Sequence, residues 1–188
     1  MQSNSGIGER TNEYALVTYV PGPLGAFLDR LRKELVSTCV ARSHVTVLPP
    51  RPLVIDADAA KRELEHELIE SQPFSIEIAD IQCFERTKVI YLSVGEGRQE
   101  LTDLHNHLNH NGLWYKEQYD YHPHITLAQE FPEDELEAKL EIARRRWAQF
   151  TGERRFEVDH LTFVQNTKAK IWQDLAQIPL NDAVLAGA

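Results

Sequence analysis

The chain has 188 residues, 42% of them hydrophobic, and a formal net charge of −9 with a pI near 5.4. That is enough apolar material to bury a core in one domain or two tightly joined lobes. The acidity argues against a protein that wraps long duplex DNA or RNA, whose affinity rests on many Lys and Arg contacts to phosphates, but leaves a small anionic ligand in a local pocket open.

The first residues are polar and carry no basic-then-apolar signal pattern, and no apolar run approaches the roughly 20 residues of a membrane helix. A cytoplasmic, monomeric protein with no membrane association is the expectation. Cys39 and Cys83 stand in no metal or redox spacing and read as two reduced thiols.

Residues 1–12 lack periodicity and are expected to form a tail, followed by one bilobed domain over residues 13–179 and a second tail over residues 180–188. Tyr14 to Val20 is a β-branched and aromatic run, ended by Pro21-Gly22-Pro23. Leu24, Phe27, Leu28, Leu31 and Leu35 then form one apolar helical stripe with Pro23 in the first turn. A strand from Ser43 to Leu48 is closed by Pro49-Pro50. Asp56 is a candidate N-cap for a helix whose inner face is Ala57, Ala60, Leu64 and Leu68.

Phe74, Ile76 and Ile78 alternate as a strand, but Ile81 and Cys83 continue it with opposite parity, which predicts a bulge near Ala79-Asp80. After Glu85-Arg86-Thr87 the chain returns as the strand Ile90, Leu92, Val94. A helix with Leu101, Leu104 and Leu108 follows, with Gly112 in the C-cap role. An irregular aromatic stretch carries Trp114, Tyr115, Tyr119 and Tyr121, which either stack a base or anchor the loop in the core.

A strand at His124 to Leu127 precedes a helix that opens on Pro132 and three acidic residues, with Leu136, Leu140, Ala143 and Trp147 as its stripe. Phe156 and Val158, then Leu161 and Phe163, repeat the parity break, and Ile171 to Ile178 make a last strand.

Two of these strands carry the same tetrapeptide pattern, His44-Val45-Thr46-Val47 and His124-Ile125-Thr126-Leu127. In each, His and Thr share one face and the aliphatics the other. The shift of eighty residues between them also maps Pro52 onto Pro132, Glu77 onto Glu157, Ile81 onto Leu161 and Thr87-Lys88 onto Thr167-Lys168. Each unit reads helix, His-x-Thr strand, helix, bulged strand, turn, strand, which predicts a duplicated α+β module.

An approximate two-fold axis would bring one His and one Thr from each unit into a common groove. Two histidines on opposite sides suit a reaction that takes a proton from an entering oxygen and gives one to a leaving oxygen. Thr hydroxyls can donate to non-bridging phosphoryl oxygens as charge builds there. The set fits in-line opening of a cyclic phosphodiester, or its reversal, and needs neither metal nor cofactor. His122 lies two residues from His124, and His105, His107 and His110 share one helix, but no third ligand at a usual spacing accompanies either group. No metal site is expected, and the helical three read as exposed polar residues.

The doubled motif, with Tyr121-His122-Pro123-His124-Ile125-Thr126-Leu127 around its second copy, resembles the two-histidine (2H) phosphoesterase superfamily and its bacterial 2′-5′ RNA ligase and cyclic phosphodiesterase branch. The resemblance runs from about Tyr14 to Ile178. It implies a bilobed fold with two antiparallel sheets facing a central groove and helices packed outside. It also implies His44 and His124 as the acid/base pair, Thr46 and Thr126 as phosphate-binding hydroxyls, and a small cyclic nucleotide or RNA terminus as substrate.

Ligase-like members commonly carry Arg five residues after the second His, where this chain has Gln129, which counts against ligation and RNA-sized substrates. Lys88, Lys168, Arg42 and Arg51 are the candidates to replace that charge. Tyr121 and Gln129 are taken as substrate-side positions. A reading of a different class is a non-catalytic nucleotide- or RNA-end-binding module, against which the intact His and Thr of both motifs argue.

Overall fold

The computed structural model describes residues 8–181, and among these eight strands and four α-helices run through the two halves of the chain. They are β1 (Arg10–Tyr19), α1 (Gly22–Leu35), β2 (His44–Arg51), α2 (Ala57–Glu67), β3 (Phe74–Phe84), β4 (Val89–Val94), α3 (Arg98–Leu108), β5 (His124–Ala128), α4 (Leu136–Gln149), β6 (Arg155–Val158), β7 (His160–Thr167) and β8 (Gln173–Pro179). Two antiparallel sheets result, ordered β2-β1-β7-β8 and β5-β4-β3-β6. The fold is α+β, as the patterns predict.

Two of the four helices start on residues suited to a helix N-terminus. Asp56 accepts from the Ala59 amide at 2.7 Å, and Glu133–Glu135 form a 3₁₀ turn whose carboxylates lead into α4, where the helix dipole favours them. The predicted bulge is present, since β3 shifts register against β4 between Ile78 and Ile81. Its counterpart in the second half is the break at Asp159 between β6 and β7.

Several boundaries differ from expectation. β1 starts at Arg10, inside the supposed tail. At the other end Leu180 is buried and Asn181 donates from its amide to the Ser71 carbonyl; residues 1–7 and 182–188 lie outside the described part. β2 runs through Pro49-Pro50 to Arg51 instead of stopping at them, because β2 is an edge strand and an outward position requires no N–H. Asn109, not Gly112, follows α3 as its cap; Gly112 sits where a Cβ would collide with Ile55 and Glu63. The left-handed residues of the two hairpin turns are Lys88 and Lys170, so the Thr-Lys correspondence is one of sequence and not of backbone.

The duplication is written into the pairing. In the β3·β6 ladder Ile76 lies opposite Phe156, its own equivalent under the eighty-residue shift. Phe74 lies opposite Val158, and the amide of Ile78, the equivalent of Val158, donates at 2.8 Å to the carbonyl of Arg154, the equivalent of Phe74. A local two-fold therefore passes through the Ile76/Phe156 pair. One expected correspondence fails: β8 is an edge strand, whereas β4 sits between β5 and β3 just as β1 sits between β2 and β7, so β4 is the partner of β1. The helices are exchanged between halves, with α1 packing on β5 and α3 on β2, and one continuous apolar core includes residues of both sheets.

Candidate active site

β2 and β5 are corresponding edge strands, each held by one neighbour, β1 or β4. Both show the same alternation: Val45, Val47, Ile125 and Leu127 are buried, while His44, Thr46, His124 and Thr126 are half-buried on the other face. Those four polar residues line a single groove of about 1040 Å³ together with Tyr121 and Gln129. The groove thus holds all six of these residues, and of the four candidate cations it includes Arg42 but not Arg51, Lys88 or Lys168.

The histidines are held alike. His44 Nδ1 lies 2.7 Å from the Arg42 carbonyl and His124 Nδ1 lies 2.6 Å from the His122 carbonyl, in each case two residues back. A carbonyl oxygen only accepts, so each Nδ1 carries the proton and each Nε2 is left with a free lone pair. Burial lowers both imidazoles below the ordinary histidine value. His44 reaches about 4, with the charges of Arg32, His124 and Arg42 adding to the effect of burial against the Arg42 carbonyl bond, which works the other way. His124 is lowered by burial and by His122, again opposed by its carbonyl bond. Both rings are neutral at neutral pH.

The carbonyls of the two motif threonines, which ladder pairing at an edge leaves open, are capped across the pseudo-two-fold. Tyr121 Oη donates to the Thr46 carbonyl at 2.7 Å, and Arg32 Nη1 of α1 donates to the Thr126 carbonyl at 2.8 Å. Tyr121 stacks face to face on His105, with ring centroids 4.0 Å apart. His105 is buried and engages the Val47 carbonyl at 2.9 Å, which corrects its reading as an exposed polar residue. His107 and His110 do lie on an outer face, each 3.3 Å from Glu67.

The walls differ on the two sides. Beside His44 they are apolar, formed by Ala15, Val17, Val164 and Trp172 with Tyr19, a cluster separate from the main core. The Arg42 guanidinium lies 3.5 Å from the Tyr19 ring centroid and pairs with Asp174 at 2.6 Å. Beside His124 the rings of Phe84 and Tyr91 stack at 4.0 Å and present edges to His122 and His124. Against a chain charge of −9, the groove is lined by five basic residues, Arg32, Arg42, Arg86, Lys116 and Lys170, and three acidic ones, Glu85, Glu117 and Asp120.

A profile of the 2′-5′ RNA ligase superfamily matches residues 20–170, most of the chain and both His-x-Thr strands. The chain belongs to the 2′-5′ RNA ligase superfamily. Similar members of known sequence include a candidate phosphoesterase of Oceanobacillus iheyensis, 31% identical over 100 residues that span 48% of this chain and 58% of that protein. A candidate phosphoesterase of Geobacillus kaustophilus is 29% identical over 130 residues, 64% of this chain and 70% of that protein. Among solved structures, E. coli LigT crystallised with 3′-AMP superposes with a TM-score of 0.62 at 18% identity, covering 92% of this chain and all of LigT. TT0787 of Thermus thermophilus gives 0.59 at 13% identity, covering 91% of this chain and 99% of that one. The superfamily's fold is therefore retained in this chain at low identity.

Sequence reasoning missed Arg32, Tyr19, Phe84 and Trp172 as groove residues. For Arg32 a signal existed: it lies four residues after Leu28 and seven after Gly25, on the buried side of α1, where a charge is out of place.

Proposed function

We propose that this groove opens 2′,3′-cyclic phosphates of RNA ends or small nucleotides without a metal ion. One imidazole Nε2 takes a proton from water as its oxygen bonds to phosphorus. The other, as imidazolium, gives a proton to the 2′ or 3′ oxygen as its bond to phosphorus breaks, leaving a phosphomonoester. The Thr46 and Thr126 hydroxyls donate to the non-bridging oxygens, where charge accumulates. A ribose hydroxyl in place of water would give 2′-5′ ligation by the reverse of transesterification.

The observation that carries this reading is the twin anchoring of His44 and His124 through Nδ1, which leaves two equivalent Nε2 atoms for one groove. Both rings are neutral at neutral pH, and the negative charge of a bound phosphodiester favours protonation of one of them, which creates the acid/base pair on binding. The apolar wall of Val17, Val164 and Trp172 offers a surface for a base, and the occurrence of 3′-AMP in LigT is consistent with a ligand of nucleotide size. Tyr121 and Gln129 are assigned to the substrate side of the same groove.

The test is hydrolysis of nucleoside 2′,3′-cyclic phosphates in EDTA by the wild type, His44→Ala and His124→Ala. Each substitution is expected to cost about 10²- to 10⁴-fold in kcat. Undiminished turnover in both variants would remove the assigned roles, and binding without turnover in the wild type would favour a non-catalytic module.

A further inference from the structure

Arg32 is 6% exposed, yet its guanidinium has no carboxylate within 4 Å among the described residues. Nη1 is spent on the Thr126 carbonyl and Nε on the Cys39 sulfur at 3.5 Å, while Nη2 has no hydrogen-bond partner in the protein among those residues. Nη2 is not fully buried, and Arg32 is one of the residues that line the groove. A buried, uncompensated cation is costly unless an anion or water satisfies it.

The cations proposed from sequence are otherwise engaged. Lys88 pairs with Glu133 at 3.5 Å, Lys168 with Glu9 at 2.7 Å and Arg42 with Asp174 at 2.6 Å, while Arg51 is buried against Glu117 and does not line the groove. Arg86, Lys116 and Lys170 line the groove but are exposed, where water screens them.

We infer that Arg32 is the phosphate-holding cation of this groove, donating through Nη2 to a non-bridging oxygen of the substrate and supplying from α1 the charge that Gln129 lacks. The inference rests on the phosphoesterase reading for the identity of the substrate, but on the guanidinium's own surroundings for its preference for an anion. Its position is apt, because it is anchored on the backbone of Thr126 and acts electrostatically on His44, so it stands between the two motif strands. A guanidinium held through Nη1 and Nε that still offers Nη2 is preorganised for an oxyanion in a way that a flexible surface lysine is not.

The test measures binding of inorganic phosphate by calorimetry, with no turnover required, in the wild type, Arg32→Lys and Arg32→Met. Loss of a charge-assisted bond at a buried site predicts about 10- to 100-fold weaker binding in Arg32→Met and a smaller loss in Arg32→Lys. Wild-type affinity in Arg32→Met would overturn the proposal. Equal losses in the two variants would also overturn it, by tracing the effect to the Thr126 contact and not to the charge. Should Arg32→Met fail to fold, the Arg32 Nε–H resonance of the wild type decides: phosphate must shift it, and an unmoved resonance at saturation overturns the proposal. Arg32-dependent phosphate binding in a protein that does not hydrolyse cyclic phosphates would defeat the proposed function alone, and turnover with Arg32-independent binding would defeat this inference alone.

Discussion

At the scale of single residues, the chemistry of the groove is set by what holds each imidazole. Because both rings give Nδ1–H to a carbonyl and both are buried, their protonation in the free protein lies below the ordinary 6.5, at about 4 for His44. A general base loses activity as pH falls through its pKa, and a general acid as pH rises through its own. The product of the two is the same whichever histidine has which role. The proposed mechanism therefore predicts a bell-shaped profile of kcat/KM for a nucleoside 2′,3′-cyclic phosphate with its maximum below pH 6.5, and an alkaline optimum would contradict the assignment. His44, Thr46, His124 and Thr126 could be picked out in the sequence because alternation places them on one face. The part played by Tyr121, whose hydroxyl goes to Thr46, and by His105 beneath it could not, since their partners lie far away in the chain.

At the scale of elements, periodicity located the four α-helices and the strands among the described residues but not the 3₁₀ turn Asn111–Leu113, and most other errors fell at element ends. Pro49-Pro50 reads as a stop, but an edge strand tolerates it. Gly112 reads as a C-cap, but serves a close approach to Ile55 and Glu63 instead. Gly25 shows how tightly an element is seated. Its amide donates to the Pro21 carbonyl at 3.1 Å, and a Cβ there would collide with the carbonyl oxygen of Val20 at the end of β1. Backbone cannot yield as a side-chain tip can, so Gly25→Ala is expected to destabilise the protein by about 1–3 kcal/mol despite the higher helix propensity of Ala, measured as a lower urea midpoint. An unchanged or higher midpoint would mean that α1 shifts freely on β1.

At the scale of the whole molecule, the two halves are joined by exchange: α1 packs on β5, α3 packs on β2, and β3 pairs with β6 about the pseudo-two-fold. Arg51 extends this joint. It is 2% exposed and bonds the Pro49 carbonyl of its own strand at 2.9 Å, Asn109 Oδ1 at 2.7 Å and the Leu113 carbonyl at 3.1 Å, with Glu117 as its ion-pair partner. Removing only the cation strands Glu117 and the polar groups around it. Arg51→Met should cost about 3–5 kcal/mol in chemical denaturation, and combining it with Glu117→Leu should recover part of that loss. Equal stability of Arg51→Met and wild type would show that the pair does not tie the halves together.

The sequence by itself determined most of the elements, the duplication and which His and Thr share a face of each motif strand, because each follows from local periodicity or from one constant offset along the chain. Only the tertiary structure decided that β4 corresponds to β1, that the two edge strands share one groove, and that a guanidinium from the first helix is left without a counter-ion among the described residues beside the second motif. Those are matters of which distant segments pack together and which charges they leave unpaired, and no local pattern encodes either.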